Sequence, residues 1–287
     1  MEGATHVEIP ASIILIEDEA FYMCHGLTTV VFRGNIAHIG ENVFVNTTDD
    51  IQAIIVPTHL KNRYQKLLEK YDGLVTDCVA EVDGIYYSLD SDTHTAKVIH
   101  TAADDKSYDY YSGNIVIPAQ ITYQEQEYQV VEIAASAFCS CAIDSITLPE
   151  GLVTIGNRAF DCCTDLRFVD MPDTVNNLRH GAFAGCSSLK EVCIPDSVHI
   201  LDMSAFDGCY EMNSLILGPN ISHLKGIDDV LSDWEATIFV PRHKIDDYCQ
   251  KGLEPLREHI QAIETMEAES FETLLDWFVN HQLNKND

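Results

Sequence analysis

Ten cysteines are the residues of this 287-residue sequence best suited to chemistry. Thiolates bind zinc, and the close pairs Cys139-Ser-Cys141 and Cys162-Cys163 have the appearance of paired metal ligands. Half of the cysteines, however, share one position, three residues after a phenylalanine: Cys24, Cys141, Cys163, Cys186 and Cys209. A repeated position predicts one buried column, in which a thiol acts as a small apolar side chain. We therefore expect reduced structural thiols rather than zinc ligands or a disulfide framework.

The remaining chemically active residues form no catalytic motif. Cys193 lies at an outward position of a predicted strand, where we expect a surface or reactive thiol. His59 and His243 recur at matching positions, which favours a packing role. Asp90-Ser-Asp92 begins like a calcium loop but lacks its glycine and its terminal glutamate. No Walker A, dinucleotide or Gly-x-Ser-x-Gly motif occurs. The sequence thus predicts no enzyme, no catalytic residue, no cofactor and no metal site.

A different hypothesis places a hydrolase or metal site in the non-repeat segment 76–114. Such a site would need a cleft lined by groups such as Asp104, Asp105, His94 and His100. Because the 46 carboxylates are spread over predicted turns and helix surfaces, a solvated surface is the better explanation.

The balance of 46 acidic against 17 basic residues gives a net charge of −29. A protein that grips nucleic acid or anionic lipid needs a basic surface, so neither is an expected partner. No apolar stretch approaches the roughly 18 residues of a membrane span, and the N-terminus has no signal-peptide pattern. As written, the chain predicts no membrane insertion and favours the cytoplasm.

An internal sequence repeat determines where these residues lie in the fold. Its clearest landmark is the dipeptide Ala-Phe, which ends at Phe21, Phe138, Phe160, Phe183 and Phe206. From Phe138 onward the steps are 22, 23 and 23 residues. A period of roughly 20–29 residues is typical of a leucine-rich repeat solenoid. The predicted fold is mainly β with short helices: a solenoid of 22–23-residue coils with helical caps and an inserted β-hairpin segment.

Each coil is predicted to contribute one short strand and one core aromatic ring. Between Leu189 and Pro195 the apolar residues alternate, and the proline ends the strand by removing a ladder donor. The phenylalanines are predicted to stack into a column. At Gly40 and Gly156 we expect a backbone conformation that glycine tolerates best. Because one coil cannot bury its apolar side, stability must come from stacked neighbours.

The repeat pattern LxxVxIPxxVxxIGxxAFxGC resembles that of the BspA-like leucine-rich repeat family of bacterial surface proteins. The segments 148–163 and 194–209 carry it most clearly. Val82 to His100 also resembles the hairpin common in such proteins from Bacteroides-type bacteria. The resemblance implies adhesion to host or bacterial proteins and a cell-surface or secreted location. The chain departs from the family in showing no export signal.

A longer duplication marks two caps. Ile54 to Tyr71 and Ile238 to Leu256 share Val-Pro-x-His, and in each a tyrosine, Tyr64 or Tyr248, follows the proline by seven residues. A strand, a proline and an amphipathic helix are what a solenoid cap requires. We predict four parts. They are a short repeat module with a cap (1–75), a non-repeat hairpin segment (76–114), a main solenoid with a cap (115–263) and an amphipathic C-terminal helix (264–287).

Several finer predictions concern the joins between these parts. The first module has two coils, below the roughly three needed for independent stability, so it should pack on the hairpin or on the main solenoid. Val82–Leu89 and Ala96–Thr101 are predicted to pair as a hairpin, and Thr122–Val130 to form an inserted one. A degenerate last coil places Val230 at the phenylalanine position. The C-terminal helix is expected to dock on the second cap or, less simply, to bind a partner.

The sequence therefore favours a binding protein whose exposed strand face contacts a protein, of host or bacterial origin, or a glycan. A cytoplasmic scaffold or regulator with the same fold is the alternative, and the oligomeric state is left open. Phe168 and Ile216 are the expected anchors, since exposed large apolar side chains mark contact sites. The candidate face consists of outward strand positions: Thr29, Val31, Ser145, Thr147, Phe168, Asp170, Glu191, Cys193, Ser214 and Ile216.

Overall fold

The computed structural model describes residues 6–47, 51–100, 111–226 and 235–263. Within these ranges the chain is mainly β with few short helices, which confirms the predicted leucine-rich repeat solenoid. Coils stack through parallel strands, because each coil returns the chain to the same side at the next level. The predicted positions of Val230 and of the C-terminal helix 264–287 lie outside the described residues.

Two parallel sheets carry the outward strand positions. In the described part of the chain, the short sheet has four strands, in the order His6–Ile9, Thr29–Phe32, Ala53–Ile55 and Val75–Thr76. The long sheet has seven described strands: Ser112–Val116, Ala142–Thr147, Phe168–Asp170, Glu191–Ile194, Ser214–Leu217, Thr237–Pro241 and Ile260–Ile263. Each sheet continues one strand beyond its cap, since Val75 pairs with Ile54 and Ile260 pairs with Ile238. The caps are therefore inserted before the last strand of each sheet.

The other side of the coils carries a mixed sheet, here called the opposite sheet. Its described strands, in spatial order, are Asn177–Leu178, Thr154–Ile155, Gln126–Ile133, Thr95–Ile99, Ile85–Asp90 and Cys78–Val82, with Gln120–Tyr123 paired to Gln126–Ile133. Two further described pairs are Leu15–Ile16 with His38–Ile39 and Ile200–Asp202 with His223–Lys225.

Both predicted hairpins form, and both belong to the opposite sheet. Ile85–Asp90 pairs antiparallel with Thr95–Ile99, and Gln120–Tyr123 with Gln126–Ile133. A strand before the first hairpin, Cys78–Val82, extends it to a three-stranded meander. Thr95–Ile99 then pairs parallel with Gln126–Ile133, so the non-repeat segment continues the β structure of the coils. The boundaries drawn at residues 76 and 114 stay a prediction.

The helical caps use the duplicated sequence as predicted, although neither is one long helix. The first consists of Thr58–Leu60 and Glu69–Leu74 as 3₁₀ helices around an α-helix, Lys61–Leu67. The second consists of Arg242–Lys244, the α-helix Ile245–Tyr248, the π-helical turn Cys249–Leu253 and the 3₁₀ helix Glu254–His259. A further 3₁₀ helix, Met203–Phe206, lies within a coil.

The predicted aromatic column is confirmed. Phe138, Phe160, Phe183 and Phe206 stack nearly parallel, with ring centroids 5.1, 5.1 and 6.1 Å apart. Tyr111 packs on the first of these rings at 4.8 Å. In the short module Phe21 stacks on Phe44 in the same way, and Tyr71 closes that column edge-on. Ring stacking and apolar burial thus hold successive coils in register.

Glycine is needed at positions 40 and 156, but not for the predicted reason, a backbone conformation that other residues disfavour. Gly40 and Gly156 are absent from the described residues with positive φ. A Cβ on Gly156 would instead lie 2.6 Å from the backbone nitrogen of Ala135, in the coil beneath, and Gly40 meets Asp18 in the same manner. Close approach of neighbouring coils therefore requires glycine at these two positions.

The first module packs against the meander, one of the two neighbours expected for it. Lys61, whose side chain is 4% exposed, extends its ammonium to Asp90 at 2.9 Å and to Asp92 at 3.3 Å. Gln52 accepts a hydrogen bond from the backbone nitrogen of His100. The turn that contains Asp90 is therefore ion-paired to the first cap, while its residues Asp92, Thr93 and His94 stay exposed.

Candidate binding face on the long sheet

Phe168 is the most prominent apolar residue among the candidate positions. It starts a three-residue strand whose central residue, Val169, points into the core and is 7% exposed, whereas Phe168 itself is 54% exposed. Its partners on the adjacent strands are Ser145 and Glu191. Because the serine is much smaller, the phenyl ring stands above the surrounding surface.

The second outward row of the same strands completes a continuous surface. Thr147 pairs with Val116 on one side and with Asp170 on the other, and all three side chains are exposed. Val116, at 65%, is one of the most exposed apolar residues described. We call the set Val116, Ser145, Thr147, Phe168 and Asp170 the Phe168 face.

Val116 was missed by the sequence interpretation, although a signal for it exists. Thr147, Asp170 and Cys193 each lie two residues before a proline that ends a strand, and Val116 has the same place before Pro118. Applying that rule to the first coil after the non-repeat segment would have added it to the candidates.

Four of the ten candidates are buried. Thr29 and Val31 in the short sheet are each 4% exposed, and Ser214 and Ile216 in the long sheet are 3% and 1% exposed. The expectation that Ile216 is a surface anchor is wrong.

The sizes of the flanking side chains explain the difference. Ile216 lies between Cys193 and the large Phe239 on the adjacent strands. Ser214 is likewise flanked by longer side chains, Glu191 and Thr237. An outward side chain in a parallel sheet has neighbours about 4.8 Å away on both sides, so its exposure depends on those neighbours as well as on alternation.

The short-sheet candidates are also buried. Val31 lies between Glu8 and Ile55, whereas Thr29 lies between the larger His6 and the smaller Ala53. Since both side chains are 4% exposed, Thr29 and Val31 offer little contact area to a partner.

Glu191 and Cys193 are half-buried, and their electrostatics argue against a reactive thiol. Burial, together with the negative charges of Asp170 and Glu191, raises the pKa of Cys193 to about 12. Burial also raises the pKa of Glu191. The Cys193 side chain is therefore a neutral thiol at physiological pH, and the reactive thiol expected from its outward position is not supported.

The alternative site in segment 76–114 is not assembled by the described residues. His94 and His100 lie at opposite ends of the strand Thr95–Ile99, and they contact different aromatic rings, Tyr128 and Tyr111. Asp104 and Asp105 lie outside the described residues. In the ranges that the structure describes, no three His, Cys, Asp or Glu side chains group as ligands of a metal ion.

The stacked coils, their parallel strands and the phenylalanine column define a leucine-rich repeat protein. The sequence matches the family model described as BspA type leucine rich repeat region, in 6 copies over residues 2–77 and 115–227. The chain belongs to the BspA type leucine-rich repeat family. A comparison with curated proteins finds no match.

Solved structures of bacterial leucine-rich repeat proteins are similar to this chain. A leucine rich cell surface protein from Faecalibacterium prausnitzii is 20% identical with a TM-score of 0.52, covering 84% of this chain and 61% of its own. This chain therefore spans less than two thirds of that protein, and the likeness shows the fold alone. A leucine-rich repeat protein from Bacteroides capillosus is 26% identical over 51% of this chain and 96% of its own, with a TM-score of 0.37.

No helix in the described ranges is both long enough and apolar enough to cross a membrane. The matched family and the similar structures are repeat proteins by description, and none is described as an enzyme.

Proposed function

We propose that this chain is a non-enzymatic binding protein, of the adhesion type, that holds a protein partner of host or bacterial origin against the Phe168 face. The observation that carries the proposal is the 54% exposure of Phe168 on a regular strand, together with the 65% exposure of Val116 two strands away in the second outward row. Exposed aromatic residues with a polar rim are the usual centres of protein contacts.

The composition of the face supports a protein partner. Val116 and Phe168 supply apolar area, while Thr147 and Asp170 lie between and beside them as hydrogen-bonding groups. Ser145 is already held by Asn114, whose side-chain oxygen accepts its hydroxyl proton at 2.7 Å. Because the strands are fixed by the ladder, the face is ordered before binding, which lowers the entropic cost of association.

The test compares partner capture by the wild-type chain and by Phe168→Asp from host and bacterial lysates. The matched control is Tyr210→Asp, which places the same charge at a tyrosine that is 71% exposed and lies outside the Phe168 face. We expect Phe168→Asp to abolish capture of a specific protein that the control retains, with unchanged circular dichroism. Equal capture by both variants would reject the Phe168 face. Ile216→Asp is unsuitable, because it would bury a charge.

A further inference from the structure

A cleft lies on the other side of the main solenoid, along the strands Asn177–Leu178 and Ile200–Asp202 and the residues that flank them. It is open to solvent, has a volume of about 570 Å³ and is lined by Asn157, Asn177, Arg179, His180, His199 and Ile200, among others. This volume lies within the roughly 300–1,000 Å³ of small-ligand sites. None of its residues belongs to the Phe168 face.

The charged lining comes from one repeat position. Arg179, Asp202 and Lys225 are 23 residues apart, so they occupy the same place in three consecutive coils. In the coil before them that place is held by Gly156. The residue at this repeat position therefore varies from coil to coil, as do the residues at the outward strand positions.

Asp202 is the single carboxylate that lines the cleft, and other side chains of the protein already bond it. It is 8% exposed, accepts from the hydroxyl of Ser204 at 2.6 Å, and pairs with Lys225 at 3.3 Å. Arg179, in contrast, makes no side-chain hydrogen bond or ion pair with any described residue. In a chain with a net charge of −29, the cleft thus carries an unneutralised cation.

The hydrogen bonds around the two histidines fix their tautomers. The Ser204 hydroxyl gives its proton to Asp202, so it must accept from Nδ1 of His180, 2.8 Å away. Nδ1 of His199 lies 2.7 Å from the carbonyl oxygen of Ser197, which can only accept. In the neutral form of either ring, Nε2 is therefore the lone-pair acceptor, suited to a ligand hydroxyl.

The rest of the lining suits a ring with several hydroxyls. Asn177 donates from its amide nitrogen to Asn176 at 2.8 Å, which leaves its oxygen as an acceptor. Ile200 is 54% exposed and offers a flat apolar area beside these polar groups. Sugars combine such features, with hydroxyls at the edge and C–H groups on the face of the ring.

We propose that this cleft binds a carboxylated saccharide: Arg179 pairs with the carboxylate, the histidine Nε2 atoms and the asparagines bond the hydroxyls, and Ile200 packs against the ring. One free guanidinium matches one carboxylate, and the acidity of the whole chain repels a polyanion.

The test is a titration of the full chain with glucuronate, followed by NMR or calorimetry, with glucose and acetate as the neutral and simple-anion comparisons. We expect glucuronate to bind and Arg179→Met to weaken it by about tenfold or more, as loss of a charged hydrogen bond implies. Arg167→Met, at an exposed arginine outside the cleft, should bind like the wild type.

Glucose should bind at least about tenfold more weakly than glucuronate, and so should acetate. No glucuronate binding at about 10 mM, equal effects of the two arginine substitutions, or equal affinity for glucose or for acetate would overturn the proposal. Phe168→Asp should leave glucuronate binding unchanged, so this test is independent of the partner proposed for the strand side.

Discussion

The thiol of Cys186 donates a hydrogen bond to the backbone carbonyl of Phe160 in the preceding coil, with 3.1 Å between sulfur and oxygen. Cys163 and Cys209 make the same bond, to Phe138 and Phe183 respectively. In the second coil of the first module a threonine, Thr47, holds this position, and its hydroxyl donates to the carbonyl of Phe21 at 2.6 Å. The repeat position therefore selects a small donor that ties each coil to the one before it.

This position can be tested at the threonine. Thr47 donates to the carbonyl of Phe21 and accepts from the backbone nitrogen of Cys24 at 3.0 Å, and it is 1% exposed. Thr47→Val keeps the shape but removes the hydroxyl from both backbone groups and leaves them only their long bond to each other at 3.4 Å, so we expect a loss of about 1–3 kcal/mol in the free energy of unfolding. Thr47→Ser keeps the hydroxyl and should cost only about 1 kcal/mol, for one methyl group. Urea denaturation measures both; a valine variant as stable as the serine variant contradicts the account.

The two caps should respond alike to loss of one hydroxyl. Tyr64 donates to the carbonyl of Gly34 at 2.6 Å and accepts from Ile36, and Tyr248 makes the same two bonds to Gly218 and Ile221. Burial raises the pKa of Tyr248 to about 12, so its phenol keeps its proton.

We expect Tyr64→Phe and Tyr248→Phe each to lower the free energy of unfolding by about 1–3 kcal/mol, because two buried backbone groups lose their partner. Tyr210→Phe, at an exposed ring, should change it by less than about 0.5 kcal/mol. Denaturant titrations that give all three variants the same free energy of unfolding would contradict a shared capping role.

Loss of the Lys61 ammonium should loosen the contact between the first cap and the meander. Lys61 and Asp77 are each 4% exposed at the side chain, and their charged atoms lie 3.6 Å apart. Lys61→Met leaves that carboxylate buried without its cation, so we expect a loss of about 3 kcal/mol by thermal or chemical denaturation. Lys66→Met, at an exposed lysine of the same helix, is the control. Equal stability of the two variants would show that the pair contributes nothing.

The ion pair of Lys61 with Asp90 predicts a pH dependence of stability with a definite sign. Burial alone would raise the pKa of Asp90. Hydrogen bonds from Lys61 and from the backbone of Thr93 and Asp92 outweigh burial and hold that pKa below its usual value. A carboxylate with a lowered folded-state pKa stabilises the protein above about pH 4 and loses that contribution as the pH falls through the folded value. The stability difference between the wild type and Lys61→Met should therefore shrink below about pH 4; a difference that grows there would contradict it.

Thiol reactivity should follow exposure rather than strand position. All ten cysteines are free, and Cys162 is the exposed one. Iodoacetamide at about pH 8 should label Cys162 first, because that thiol is exposed, and leave Cys193 unlabelled in the native chain, because it is half-buried; burial raises the pKa of both thiols. Peptide mass spectrometry after short labelling times measures the order. Labelling of Cys193 ahead of Cys162 would contradict it.

Repeat spacing predicted the coils, the phenylalanine column and the duplicated caps, because these depend on which residues recur and on how coils stack. It could not predict that Ile216 is buried while Phe168 is exposed, since both point outward and the difference comes from Phe239 and Ser145 on neighbouring strands. The donor role of Cys186 was missed for a related reason: it depends on a carbonyl in another coil.

The most direct measurement of the central proposal is photo-crosslinking from the Phe168 face. A photoreactive phenylalanine analogue replaces Phe168 in one sample and Tyr210 in another, and both are irradiated with host and bacterial lysates. The account predicts a covalent adduct with one specific protein from position 168 and none from position 210. Adducts of the same kind and amount from both positions, or none from position 168, would contradict it.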